Sequence, residues 1–250
     1  MFAGPELHWE GIYGHYCDVP VRPDNYDDEI QVKRHYEWTR AAMDKVRAGK
    51  VPYLWHRVLA VVAAMASSRT GSVRVLDFGG AVGSGYVHLL GTLPKHVAID
   101  YRVVDLEKMC VAGRQLFGAD ARITFHTALP DDDRSPDIIY LNSVLQYVED
   151  YRGLLTKLAS IQADFILCTR LAAGDILTYA TKQINLANKT LAYWFLNRSE
   201  VIGVLTGAGY SLVYEDLDDQ EFNQNNFPEM YRIGRMRVML FRRSDGMAQV

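Results

Sequence analysis

The chain is poor in cysteine, in net charge and in long apolar runs, and each shortage removes a class of protein. Cys17, Cys110 and Cys168 are the three cysteines, far apart and odd in number. They offer neither a disulfide framework nor metal-ligand spacing, so free thiols in a reducing compartment are expected. Cys168 falls in an expected central strand and reads as core packing. A formal net charge of −3 over 250 residues gives no reason to expect a nucleic-acid partner. The longest apolar run, Val58 to Ala66, is far shorter than the roughly 20 residues that cross a bilayer. Met1-Phe2-Ala3-Gly4-Pro5-Glu6 lacks the basic-then-apolar order of a secretory signal. No cluster of acids and histidines has metal spacing, and Asp131-Asp132-Asp133 reads as a solvated loop. Repeats and low-complexity segments are absent. A cytoplasmic protein without an integral membrane segment is expected, either free or peripheral to the inner face of the membrane.

What is present is an alternation. Apolar residues make up 49% of the chain, enough for one α/β domain with an appendage. Residues 1–70 divide into an aromatic leader and a helical cap. The leader carries His8, Trp9, Tyr13, His15, Tyr16 and Tyr26. A first helix is expected from Asp27-Asp28-Glu29 to about Ala48, stopped by Gly49. A second is expected from about Tyr53 to Ser67. Residues 71–250 then read as a doubly wound domain. Strands are expected at Val73–Leu76, Val97–Val104, Arg122–His126, Asp137–Asn142 and Phe165–Thr169, with helices between them. Such a rhythm predicts a parallel sheet covered on both faces. About 171–198 the rhythm breaks into amides and lysines interleaved with aromatics, including Gln183, Asn185, Asn188 and Trp194, which reads as a lid insert. Asn197-Arg198-Ser199-Glu200 opens a helix in the manner of a capping box. Two closing strands, Tyr210–Glu215 and Arg237–Phe241, have no helix between them and predict an antiparallel pair.

The centre of this pattern is Asp77-Phe78-Gly79-Gly80-Ala81-Val82-Gly83, a glycine bend between a buried strand and a helix with Tyr86, Leu89, Leu90 and Leu93 on one face. Glycines let a backbone approach a ligand closely. Asp77 sits two residues before the first glycine. A carboxylate there would repel a pyrophosphate and suits a cationic ligand. The bend resembles motif I of class I S-adenosylmethionine-dependent methyltransferases, Asp-x-Gly-x-Gly-x-Gly, with Ala81 in place of the middle glycine. That replacement is mild if φ stays negative at Ala81.

The resemblance implies a cofactor site of Asp77, Gly79, Gly80, Ala81, Gly83, Asp105, Leu106, Thr127, Ala128 and Asn142. Asp105 ends the second strand, where a carboxylate can accept both ribose hydroxyls; helix capping by Asp105, or Glu107 in its place, is the competing reading. After the third strand no acid stands where the adenine amino group would be met. Asn142, Gln146 and Tyr147, after the fourth strand, could offer polar edges to a substrate or form an ordinary turn. Tyr13 and Trp194 complete the substrate-side candidates. His15 is the candidate base for removing a hydroxyl proton, and Arg170 the candidate anchor for an anionic group; each has a structural alternative. His88 and His96 read as surface or core-edge residues.

Four stretches together resemble a bacterial methyltransferase family of polysaccharide and O-antigen gene clusters: Trp9-Glu10-Gly11-Ile12-Tyr13-Gly14, Phe78 to Gly83, Val104 to Met109, and Cys168-Thr169-Arg170. This implies O-methylation of a sugar in a surface glycan or its precursor, including a lipid-linked one. A methyltransferase of small natural products, a non-catalytic S-adenosylmethionine-binding module and an NAD-dependent oxidoreductase are the alternatives.

Overall fold

The computed structural model describes residues 8–21, 28–52, 56–130, 135–186 and 189–244. The opening hexapeptide, Tyr26, Asp27, the expected helix start at Tyr53, the acidic loop 131–133 and Asn188 lie outside the described residues.

The elements, in chain order, are β1 (Trp9–Tyr13), α1 (Glu29–Arg47), α2 (Arg57–Ser67), β2 (Ser72–Phe78), α3 (Ser84–Thr92), β3 (Ala98–Val104), α4 (Glu107–Phe117), β4 (Ile123–His126), β5 (Ile138–Asn142), α5 (Tyr151–Ala159), β6 (Phe165–Leu171), β7 (Ala173–Gly174), β8 (Tyr179–Leu186), β9 (Lys189–Asn197), α6 (Arg198–Gly207), β10 (Tyr210–Glu221) and β11 (Arg235–Arg243). Seven strands form one sheet in the order β10-β11-β6-β5-β2-β3-β4, and four form a smaller one in the order β1-β8-β9-β7. By contacts the chain divides into two compact units. The bend unit is Asp27–Asn142 with Ile161–Leu167; the hairpin unit is Met1–Tyr26, Ser143–Ser160 and Cys168–Val250.

In the bend unit, β2 pairs in parallel with β3 and β5, and β3 in parallel with β4. The expected alternation is thus realised as a covered parallel sheet. Helix α3 is buried nearly all round, through Gly85, Tyr86, Val87, His88 and Leu89, because α1 and α2 pack on the side turned away from the strands. His88 is therefore 1% exposed, not a surface or core-edge residue; the second apolar layer over α3 is what the single-face reading of that helix lacked. Helix α1 starts where Asp28 accepts from the Ile30 N–H, a side-chain cap that satisfies one free donor of the first turn. It ends at Gly49, where φ is +72°. On its inner side Val32 and Tyr36 pack against Val82, Met109 and Ala112.

In the hairpin unit, β10 and β11 form the expected antiparallel pair. Asn197 caps α6 by accepting from the Glu200 N–H. The segment expected as a lid insert is a β-hairpin of β8 and β9, and the aromatic leader supplies β1 to its edge, Trp9 opposite Gln183. Around it lies a core of Trp9, Tyr179, Tyr193, Phe195 and Phe227. Aromatic rings meet at edges and offsets, for example Trp9 on Phe195 at 5.2 Å between centroids. The leader and the helical cap, adjacent in sequence, belong to different units.

Candidate functional site

The bend unit gathers Asp77 and the glycine turn at the carboxyl end of its central strand, where open α/β sheets take ligands. Asp77 lies between Val103 of β3 and Tyr140 of β5 in register and is 2% exposed. The Tyr101 hydroxyl donates to its Oδ2 at 2.6 Å. Its Oδ1 is buried with no hydrogen-bond partner among the described residues. Burial pushes the Asp77 carboxyl up to about 7; the Tyr101 hydrogen bond opposes this and the nearby Asp105 charge adds to it. The turn is folded directly over this carboxyl group. A side chain on Gly80 would strike the Asp77 carboxylate, and one on Gly85 would strike the Tyr101 hydroxyl.

The backbone of the turn is left-handed at three alternate positions: Gly79 at φ +73°, Ala81 at +49° and Gly83 at +85°. Ala81 therefore does not keep the negative φ that would make it a mild replacement. Asp105 holds it there, since its Oδ2 accepts from the Ala81 N–H at 2.7 Å while Oδ1 accepts from the Leu106 N–H at 2.7 Å. Asp105 fastens the glycine turn through Ala81 and also accepts from the backbone at the start of α4, whose N-cap residue, Leu106, makes no side-chain cap bond. The Gly79 N–H donates to the Val104 carbonyl and the Gly83 N–H to the Gly80 carbonyl. Three N–H groups of the turn are thus consumed internally.

Leu106 is 44% exposed beside Asp105. Thr127 and Ala128 are exposed in the loop after β4, and Asn142 is half-buried at the end of β5. The structure thus places all ten sequence-derived cofactor candidates in one unit, on the turn or at the ends of β3, β4 and β5. Two partners of the turn were passed over in the sequence. Tyr101 is one. His56 is the other: at 1% exposed, it joins Tyr140 (Nδ1 to the hydroxyl, 2.8 Å) and Ser84 (Nε2 to Oγ, 3.1 Å). A histidine at the head of an apolar helix, α2, was the available signal. His88 lies 5.6 Å from His56 between ring centroids, and burial pulls its pKa down to about 4.

The substrate-side candidates belong to the hairpin unit. Gln146 is fully buried; its amide donates to Ser143 Oγ at 3.0 Å and to the Arg170 carbonyl at 3.3 Å. Both of those residues are non-glycine with positive φ, +55° and +52°. Gln146 braces two strained corners, and its depth explains why it does not present the polar edge expected of it. The Tyr147 hydroxyl donates to Gln183 Oε1 at 2.9 Å, and its ring meets Tyr193 edge-on at 5.2 Å. Trp194 is buried and donates to the Glu149 carbonyl. Tyr13 is half-buried on β1, and His15 is exposed just before a 3-10 turn, Tyr16–Asp18. Arg170 is half-buried. No group of His, Cys, Asp and Glu among the described residues could hold a metal ion.

No protein-family model and no curated protein matches the chain. Solved structures do match. The 1,6-didemethyltoxoflavin-N1-methyltransferase of Burkholderia thailandensis, with 1,6-didemethyltoxoflavin and S-adenosylhomocysteine bound, is similar over 85% of this chain and 90% of that one, at 14% identity and a TM-score of 0.53. The CcbJ methyltransferase of Streptomyces caelestis is similar over 76% and 90%, at 15% identity and 0.52. The magnesium protoporphyrin IX methyltransferase of Synechocystis PCC 6803, with S-adenosylhomocysteine bound, is similar over 87% and 100%, at 17% identity and 0.50. The chain has the methyltransferase fold. At these identities the likeness is one of fold.

Proposed function

We propose that the protein is an S-adenosylmethionine-dependent O-methyltransferase whose cofactor is held by the bend unit. One observation carries the reading: two carboxylates, Asp77 and Asp105, flank a turn whose Gly79, Ala81 and Gly83 N–H groups are already bonded. A phosphate needs free N–H donors and no anion beside it; here three of the donors are taken and two carboxylates stand beside the turn. That disfavours a dinucleotide and suits a ligand with a sulfonium, an α-ammonium and no phosphate. The buried, unpartnered Asp77 Oδ1 and the close-set glycines fit such a ligand, with Asp77 supplying negative potential beneath the turn. Asp105, at the mouth of the turn, is the proposed partner of the ribose hydroxyls, with Leu106, Thr127, Ala128 and Asn142 as the further proposed contacts. Two of the similar structures were solved with S-adenosylhomocysteine bound, which supports the same ligand here.

When bound, S-adenosylmethionine supplies an electrophilic methyl carbon. The protein's share is to hold an acceptor hydroxyl in line with that carbon and to take its proton. His15 is the proposed base and Arg170 the proposed anchor for an anionic group on the acceptor, with Tyr13, Gln146, Tyr147 and Trp194 as the proposed acceptor-side residues; Gln146 acts there through Ser143 and Arg170. The acceptor we propose is a sugar of a surface polysaccharide or its precursor, lipid-linked forms included, in the cytoplasm. The resemblance of Trp9–Gly14 and Cys168–Arg170 to the polysaccharide-cluster family supports it. A small natural product is the second reading, favoured by the 1,6-didemethyltoxoflavin bound in one of the similar structures.

The test is a thermal-shift comparison of S-adenosylhomocysteine and NAD, followed by methyl transfer to nucleotide-linked and lipid-linked sugars. A ligand that binds only the folded form raises its melting point. S-adenosylhomocysteine is expected to do so and NAD not to. Asp105→Ala is expected to weaken the first at least about tenfold, since hydrogen bonds to a charged group contribute roughly 1.5–3 kcal/mol. A shift with NAD alone rejects the reading. Binding without turnover on any acceptor leaves a non-catalytic module.

A further inference from the structure

Residues 29–52, α1 and the turn after it, hold six Lys and Arg against three acids, in a chain whose net charge is −3. The positive excess sits on α1 and the turn after it, and the remainder of the chain is acidic. Helix α1 has two unlike faces. Its inner face buries Thr39 and Ala42 and packs Val32 and Tyr36 beside the glycine turn. Its outer face shows Ile30, 54% exposed, and Trp38, 46% exposed, with Val51 beyond the helix at 58%. Ile30, Arg34 and Trp38 follow at intervals of four, so they share one stripe, which Ala41 and Lys45 continue. The Arg34 guanidinium stands 4.2 Å over the Trp38 ring. Lys33, Arg40 and Arg47, seven apart, form a second exposed row, and Lys50 is exposed beyond the helix. Of the three acids, Asp44 is paired with Arg47, and Glu29 and Glu37 are exposed.

We propose that the outer face of α1, with the Lys50-Val51 turn, docks on an anionic lipid bilayer. Trp and long basic side chains together suit the headgroup boundary: the ring and the methylene stems enter it while the charged ends stay among lipid phosphates. Each basic residue near such a surface adds to the attraction, and salt weakens it. A second copy of the chain is a poor occupant, because a two-fold pairing of this face sets cations against cations. The inference does not depend on the reading of the glycine turn, since lipid binding is measured without cofactor. If both hold, the helix that walls the turn is the one that touches the membrane.

The experiment is co-sedimentation of the full chain with vesicles of phosphatidylcholine alone or mixed with phosphatidylglycerol. Binding to the mixed vesicles only, reduced by added salt, is expected. Trp38→Ala, and Arg34→Glu with Arg40→Glu, should each lower partitioning at least about tenfold, with the far-ultraviolet spectrum and melting point kept. Arg242→Glu with Arg243→Glu, at exposed positions on β11, should leave it unchanged and so separates this face from net charge. Equal binding to neutral vesicles, no binding to either, or equal losses in both double variants overturns the proposal. Retention by a short RNA but not by vesicles overturns it in favour of nucleic acid.

Discussion

With its pKa pushed up to about 7 by burial, Asp77 changes charge between mildly acidic and neutral pH. A carboxyl raised from 3.8 binds more protons folded than unfolded, so its contribution to stability is lost as pH rises from about 4 through 7. Binding of a cationic ligand favours the ionised form. We therefore expect S-adenosylmethionine to bind more tightly as pH rises through about 7, releasing a proton; calorimetry in buffers of different ionisation heat reads that proton, and Asp77→Asn should abolish it. His88 runs the other way. Its pKa is lowered from 6.5 to about 4, so stability is lost as pH falls through that window. Both its ring nitrogens are buried without a hydrogen-bond partner among the described residues. Replacing them with carbon, in His88→Leu, removes an uncompensated polar burial and should hold or raise the urea midpoint, and flatten its fall on the acid side. Ala81 carries the cost of φ +49°, roughly 1–2 kcal/mol for a left-handed residue. Ala81→Gly relaxes it at the cost of a looser unfolded chain, so a gain of up to about 1 kcal/mol is expected from urea unfolding.

At the scale of elements, the turn is rigid because β3 reaches under it. Tyr101 rises from β3 to bond Asp77, and α3 must pass over its hydroxyl at Gly85. Gly85→Ala should cost about 1–3 kcal/mol by overpacking and break the Tyr101–Asp77 bond, while Gly85→Ala with Tyr101→Phe should recover part of the stability but not the affinity for S-adenosylhomocysteine. Denaturant titration and calorimetry on the single and double variants check this. Much of this level was legible in the sequence. Strand and helix alternation from 72 to 171 follows from apolar runs and short connections, and Asp77 and Asp105 stand out as acids at strand ends. What was hidden depends on partners distant in the chain. Nothing around Gln183 announces that Trp9 lies opposite it. The depth of Gln146 is set by Ser143 and the Arg170 carbonyl, and that of His88 by a second helical layer. The left-handed Ala81 is explained only once Asp105 is seen to hold its N–H.

At the scale of the whole molecule, the chain is interleaved: the hairpin unit is drawn from three stretches and the bend unit from two. No described helix is long and apolar enough to cross a membrane; the lipid contact proposed for α1 is made from the side. The leader is fixed by late residues: the Thr181 hydroxyl donates to the Gly11 carbonyl at 2.7 Å across 170 positions, and the Asn226 amide to the Trp9 carbonyl across 217. On a ribosome, which delivers the N-terminal part first, Trp9 must wait through the synthesis of all of the bend unit before Tyr193, Phe195 and Phe222, its distant ring partners, exist. An apolar indole is thus held in readiness through most of translation, until the hairpin of β8 and β9 emerges to shelter the first strand.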